Sequence, residues 1–202
     1  GLYDSGDVSV LECQVQQMKL AGIDGVIIDW YGIHNLNDYK MIHENTQKLV
    51  SVIKRAGLRF AICYEDRSIA EAVKKGIIKE SEAVIRGCES LEWIARNWFS
   101  EDAYLRINKT PVLLVFGPLV LDDGKFKKVV EKIDPKPITF SLPHLVESGS
   151  ADSSFAWPPV DGGKRVQENE WKKSLQNIYD SGSDRLKPIT VAFPSYRDFY
   201  QS

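Results

Sequence analysis

Strand-like and helix-like segments alternate along the whole chain, and this most narrows what it can fold into. Residues 8–21 space Val8, Leu11, Val15 and Met18 as an amphipathic helix stopped by Gly22. Gly25-Val-Ile-Ile-Asp-Trp-Tyr31 is a short β-branched and aromatic run, the pattern of a buried strand. Asn37 is placed to cap a helix running to Ala56, with Gly57 past its end. Arg59 to Asp66 forms a second strand, and a helical insert follows. In that insert Val84, Cys88, Leu91, Ala95 and Trp98 repeat at 4-3-4-3 spacing. Asn108-Lys109 turns into a third strand, Pro111 to Gly117. A short helix over 125–133 leads to a fourth strand over 137–143. A Ser/Gly/Asp-rich loop leads to a fifth near Phe155-Ala-Trp157. A helix over 165–179 and a strand over 188–193 close the series.

Such alternation predicts an α/β protein with parallel strands joined by helical crossovers. Two architectures compete, an open doubly wound sheet and a (β/α)8 TIM-type barrel. The sheet that binds dinucleotides carries G-x-G-x-x-G after an early strand, and this chain has none. Gly162-Gly163-Lys164 lacks the remaining residues of a phosphate loop. The polar residues at the strand ends favour the barrel. At 202 residues the chain reads as a single domain, 1–202.

Charge and cysteine content exclude several classes. Lys+Arg 26 against Asp+Glu 28 leaves a net charge of −2, so no basic face is available for nucleic acid. The longest apolar stretch, Val112 to Leu121, is broken by Gly117 and Pro118 and is too short for a membrane span. Cys13, Cys63 and Cys88 show no disulfide or zinc spacing, and His34 and His43 fit no H-x-H or H-E-x-x-H pattern. No metal site is expected. The compartment is left open.

In parallel α/β folds the chemistry gathers at the carboxyl ends of the strands. Here those ends read Asp29-Trp30-Tyr31, Tyr64-Glu65-Asp66-Arg67, His144, Trp157-Pro158-Pro159 and Pro194-Ser195-Tyr196-Arg197-Asp198. Carboxylates beside aromatic rings suit a sugar, because rings stack on pyranose faces and carboxylates bind hydroxyls or move protons. Each group also has a structural reading: Asp29 as a cap or ion-pair partner, Glu65-Asp66-Arg67 as a local ion pair, Trp157 as a barrel plug, His144 as a satisfied core histidine. Alternation sets Ile27, Asp29 and Tyr31 on one face of their strand and Ala61, Cys63 and Glu65 on one face of the next. Asp29 and Glu65 are therefore expected to point into one funnel.

The Gly1-Leu-Tyr-Asp-Ser5 start, the block Ala21-Gly-Ile-Asp-Gly-Val-Ile-Ile-Asp-Trp-Tyr-Gly32, Tyr64-Glu-Asp-Arg67, Tyr104-Leu-Arg106 before Pro111 to Phe116, and Ala192-Phe-Pro-Ser-Tyr-Arg-Asp198 together resemble the glycoside hydrolase family 71/99-like proteins. That group includes endo-α-mannosidases and related domains of polysaccharide-biosynthesis proteins. The resemblance implies a (β/α)8 barrel, a carbohydrate substrate, no cofactor and an extracytoplasmic setting. On that reading the strand-end residues Asp29, Tyr31, Tyr64, Glu65, Arg67, His144 and Trp157 are expected to bind the substrate. The carboxylates would bind hydroxyls or orient the catalytic groups. Tyr31, Tyr64 and Trp157 would be the stacking walls, with Arg67 and His144 as hydroxyl ligands or supports. Family members carry their catalytic carboxylates in a W-N-[D/E]-x-x-E-G-T type segment, and no Glu-Gly-Thr occurs here. A complete barrel runs to about 250 residues, so the first and last strands are expected to lie outside this chain. Further chain or a second copy is then expected to cover the edges at 25–31 and 188–193. The competing function is a non-hydrolytic carbohydrate-binding or glycan-assembly domain, and a third is an unrelated metabolic α/β enzyme.

Overall fold

The computed structural model describes residues 4–156, 167–181, 186 and 188–190. In the first of two compact units, ending at Ile138, the expected alternation appears nearly residue for residue. Helix α1 (Val8–Leu20) starts where the Asp7 carboxylate accepts from the Ser9 N–H at 2.8 Å, and it buries Leu11 and Val15. Strand β1 (Gly25–Trp30) follows, then helix α2 (Tyr39–Ala56). Gly57, at φ +74°, ends α2 in the left-handed conformation that glycine adopts without penalty. Strand β2 (Arg59–Glu65) leads into α3 (Arg67–Lys74) and α4 (Ala83–Asn97). Strands β3 (Arg106–Ile107) and β4 (Thr110–Phe116) form an antiparallel hairpin. Its two-residue turn places Asn108 at φ 49° and Lys109 at φ 70°, the positive dihedrals such a tight turn requires. Helix α5 (Asp123–Val130) completes the unit.

β1 pairs parallel with β2 from Gly25↔Arg59 to Trp30↔Tyr64, and β2 pairs parallel with β4 from Ile62↔Leu113 to Glu65↔Phe116. This register sorts the side chains onto two faces. Ile28, Trp30, Phe60, Ile62, Tyr64, Leu113 and Val115 join one buried core with Val50 and Ile53 of α2, Leu91 and Ile94 of α4, and Phe126 and Val129 of α5. Ala61, Cys63, Val112 and Leu114 are also buried, but they stand on the opposite face, outside that cluster. The 4-3-4-3 stripe of α4 is core, as its spacing suggests: Cys88, Leu91, Ala95 and Trp98 are all buried in it.

The second unit begins at Thr139. Strand β5 (Ile138–Ser141) pairs parallel with β6 (Ser153–Ala156), and β6 pairs parallel with β7 (Ile189–Thr190). Asp152 sets the β5–β6 register by accepting from both the Thr139 N–H and the Thr139 hydroxyl, each at 2.8 Å. Helix α6 (Pro143–Glu147) and helix α7 (Glu168–Ser181) belong to this unit.

Two local expectations need correction. Asn37 does not cap α2. It sits at φ 51°, a conformation asparagine tolerates, and its side chain instead accepts from Lys75 Nζ at 2.6 Å, while Asp38 precedes the first helical residue. The segment before β6 is not a loop alone, because Pro143 opens the short α6; proline at a first helical position costs no hydrogen bond. No helix among the described residues is long and apolar enough to cross a membrane.

Candidate functional site

The carboxyl ends of β1 and β2 bring together four of the residues singled out in the sequence. Asp29 is the penultimate residue of β1, and Glu65 is the last of β2. Both occupy the face opposite the helix-side core, and Cys63, the register partner of Asp29, is buried on the same face. The Tyr31 hydroxyl donates to Asp29 Oδ2 at 2.7 Å. Arg67 Nε donates to Glu65 Oε2 at 2.9 Å; the Glu65 side chain is nearly covered, while that of Arg67 is half exposed.

Electrostatics couples the two carboxyls. Burial pushes the Asp29 proton affinity up, opposed by the Tyr31 hydrogen bond and by the positive charge of Arg67. Glu65 is also raised, first by burial and then by the negative charge of Asp29, with Arg67 pulling it back. The Cys63 thiol is pushed well up by burial and by both carboxylates, so it stays protonated and inert. Asp29 Oδ1 is buried with no hydrogen-bond partner among the described residues, an unspent acceptor in the cluster. Together these groups can accept hydrogen bonds from hydroxyl groups and hold a proton at higher pH than an ordinary carboxylate.

Tyr64 goes elsewhere. Its parity is opposite to that of Glu65, so its ring lies 1% exposed on the helix side, with centroid 6.1 Å from the Trp30 ring. It is a core residue and not a stacking wall. His144 stands on α6, and its side chain is not among those described; Trp157 lies outside the described residues.

Two more residues belong to this end of the sheet: Tyr39, which sequence reasoning passed over, and Asp66, which it read only as part of a local ion pair. Tyr39, the first residue of α2, is buried with its ring centroid 5.3 Å from that of Tyr31. The signal was available, since a helix that follows a strand starts at the rim where the strand ends. Asp66, 2% exposed, accepts from three successive N–H groups, those of Leu119, Val120 and Leu121, at 2.7, 2.8 and 2.7 Å. It fastens the loop after β4 beside Glu65, and no local signal marks that role. Among the described residues no group of three or more His, Cys, Asp or Glu is placed to hold a metal ion. A hollow of about 290 Å³ between α1 and α2 and one of about 210 Å³ at the amino ends of β1 and β2 both lie away from the carboxylates.

No protein-family model matches the chain, and no curated protein matches its sequence. Solved structures do match in three dimensions. The chain is similar to the GH99 endo-α-mannosidase of Bacteroides thetaiotaomicron at a TM-score of 0.60 and 10% identity, over 97% of this chain and 73% of that one. It is similar to a glycoside hydrolase-like protein at a TM-score of 0.65 and 13% identity, over 96% of this chain and 65% of that one. A family 5 glycoside hydrolase from Bacteroides vulgatus aligns at a TM-score of 0.52 and 12% identity, over 91% and 45% of the two chains. The fold is glycoside hydrolase-like. This chain is thus α/β, of the (β/α)8-barrel type, with the described residues supplying part of a barrel. In (β/α)8 barrels the loops at the carboxyl ends of the strands carry the active site, and Asp29, Tyr31, Glu65 and Arg67 stand at that end of β1 and β2.

Proposed function

We propose that this chain is part of a family 71/99-like, endo-α-mannosidase-like protein that acts on the glycosidic bond of an oligo- or polysaccharide. Asp29, Tyr31, Glu65 and Arg67 supply part of its substrate-binding cleft. The supporting observation is the coupled pair Asp29 and Glu65, two carboxyls sharing one face at the carboxyl ends of adjacent parallel strands, in a glycoside hydrolase-like fold. Each carboxyl is held by one neighbouring side chain and keeps further lone pairs for a substrate hydroxyl. No Glu-Gly-Thr segment occurs in this sequence, so the acid and base of hydrolysis are assigned to no residue of it. The same engagement favours, as a second reading, a carbohydrate-binding or glycan-assembly domain without turnover.

Calorimetric titration with α-mannan oligosaccharides, chosen from the neighbour's activity, tests the binding. Asp29→Asn and Glu65→Gln should each weaken it by about 1.5–3 kcal/mol, the worth of a hydrogen bond to a charged group, which is about tenfold to a hundredfold in Kd. Unchanged affinity in both variants would place the site elsewhere. Release of reducing ends from the same oligosaccharides separates the hydrolase from the binding domain.

A further inference from the structure

The loop between β1 and α2, residues 31–38, carries Tyr31 out of the sheet and is tied down at several points. The buried Ser68 hydroxyl, on α3, donates to the Tyr31 carbonyl oxygen. His34 Nε2 lies 3.2 Å from the Arg86 carbonyl oxygen and 3.2 Å from the Ser90 hydroxyl, both on α4. An N–H on that nitrogen serves both acceptors. Gly32 takes φ +92° in between, so close to α4 that a Cβ there would stand 2.8 Å from Ser90 Oγ. None of these contacts touches Asp29, yet they decide where the Tyr31 ring can go. Side chains two apart on an extended chain are about 6.6 Å apart along it. The Tyr31 ring must therefore lean back along β1 for its hydroxyl to reach Asp29, and that requires a defined backbone at residues 31 and 32.

We propose that His34 is a positioning residue of this site: by docking the loop on α4 through Nε2, it holds the Tyr31 hydroxyl within hydrogen-bond reach of Asp29. The inference deepens the reading of the cleft and rests on it for its functional meaning, but its test reads Asp29 directly and uses no saccharide. Protonation of His34 adds a proton at Nδ1 and leaves the Nε2–H in place, so the tie persists through an acid titration.

The experiment follows the Asp29 side-chain carboxyl by ¹³C NMR across the acid range. The Tyr31 hydrogen bond lowers the proton affinity of Asp29, so Tyr31→Phe must move its midpoint upward. His34→Ala should move it in the same direction by most of that amount. His34→Gln, whose amide N–H can still donate to Arg86 and Ser90, should restore the wild-type midpoint. Val50→Ala, a core truncation on α2 away from the loop, controls for general loosening and should leave the midpoint alone. A wild-type midpoint in His34→Ala, or an equal shift in Val50→Ala, overturns the proposal. If His34→Ala fails to fold, Ser90→Ala removes one of the two acceptors and should give a smaller upward shift; no shift there overturns it equally. Because no sugar enters the test, failure of the saccharide reading leaves its outcome untouched.

Discussion

The Trp30 indole N–H donates to His43 Nδ1 across 3.1 Å, so the fully buried ring that ends the core face of β1 is tied to α2 only while that nitrogen is unprotonated. His43 also packs edge-on against Trp93, with centroids 4.5 Å apart. Burial depresses its proton affinity below the ordinary value of 6.5, and burial depresses His34 likewise. The sign follows from which state binds the proton first. Above pH 6.5 both states are neutral and the full contribution is present. As the pH falls below 6.5 the unfolded chain protonates first, and stability declines until the folded histidines titrate. Urea unfolding should therefore show a free energy of unfolding that falls as the pH drops below 6.5. His43→Asn, which offers Trp30 a non-titrating acceptor, should flatten that slope; an unaltered slope refutes the assignment.

Asp29 works in the opposite sense. Its folded proton affinity is raised above the ordinary 3.8, so the folded state holds the proton more tightly than the unfolded chain. Stability then falls as pH rises through that window, and the ionised group destabilises the fold at neutral pH. Asp29→Asn should raise Tm at pH 7, with the gain vanishing near pH 3, while saccharide affinity drops. A variant that melts lower than wild type at pH 7 would show that the charge is not a burden on the fold.

Asp66 should be far less tolerant. Replacement by alanine strands the N–H groups of Leu119, Val120 and Leu121 beside a buried position. Each lost charged hydrogen bond is worth about 1.5–3 kcal/mol, so the loss should exceed about 3 kcal/mol. Chemical denaturation measures it. A change below about 1 kcal/mol would mean that the loop finds other partners.

Two glycines separate backbone strain from packing. Gly57, at φ +74°, has open space within 4 Å of where an added Cβ would stand, so Gly57→Ala should lose only the left-handed penalty of about 1–2 kcal/mol. Gly32→Ala adds the collision with Ser90 Oγ and should lose more. Removing that hydroxyl in the Gly32→Ala, Ser90→Ala double variant should recover part of the difference. Chemical denaturation of the four proteins measures each loss. Equal losses at the two glycines would dismiss the close approach.

How much of this was legible depends on the distance over which each feature is decided. The period of two in an extended chain is local, and it correctly put Asp29 and Glu65 on one face. The same parity puts Tyr64 with Trp30 among the helices. Reading Tyr64-Glu65-Asp66-Arg67 as one functional block overrode it, and there the block reading fails. Helix stripes and the left-handed Gly57 were legible for the same reason, because 3.6-residue spacing and a positive φ are properties of neighbouring residues.

Partners remote in the chain were not legible. Asp66 finds its three donors 53 to 55 residues away, and His34 meets Ser90 across 56. Nothing near Asp66 or His34 in sequence distinguishes them from a loop acid or a surface histidine. The sequence by itself determined the order of elements, the parallel pairing of β1 with β2, and which side chains share a face, because backbone periodicity sets these. Only the tertiary structure decided which polar groups are satisfied, which carboxyls are strained by burial, and which loops are held. Those outcomes depend on how α3 and α4 pack against the sheet, where each buried donor and acceptor must find its partner wherever the chain has brought one.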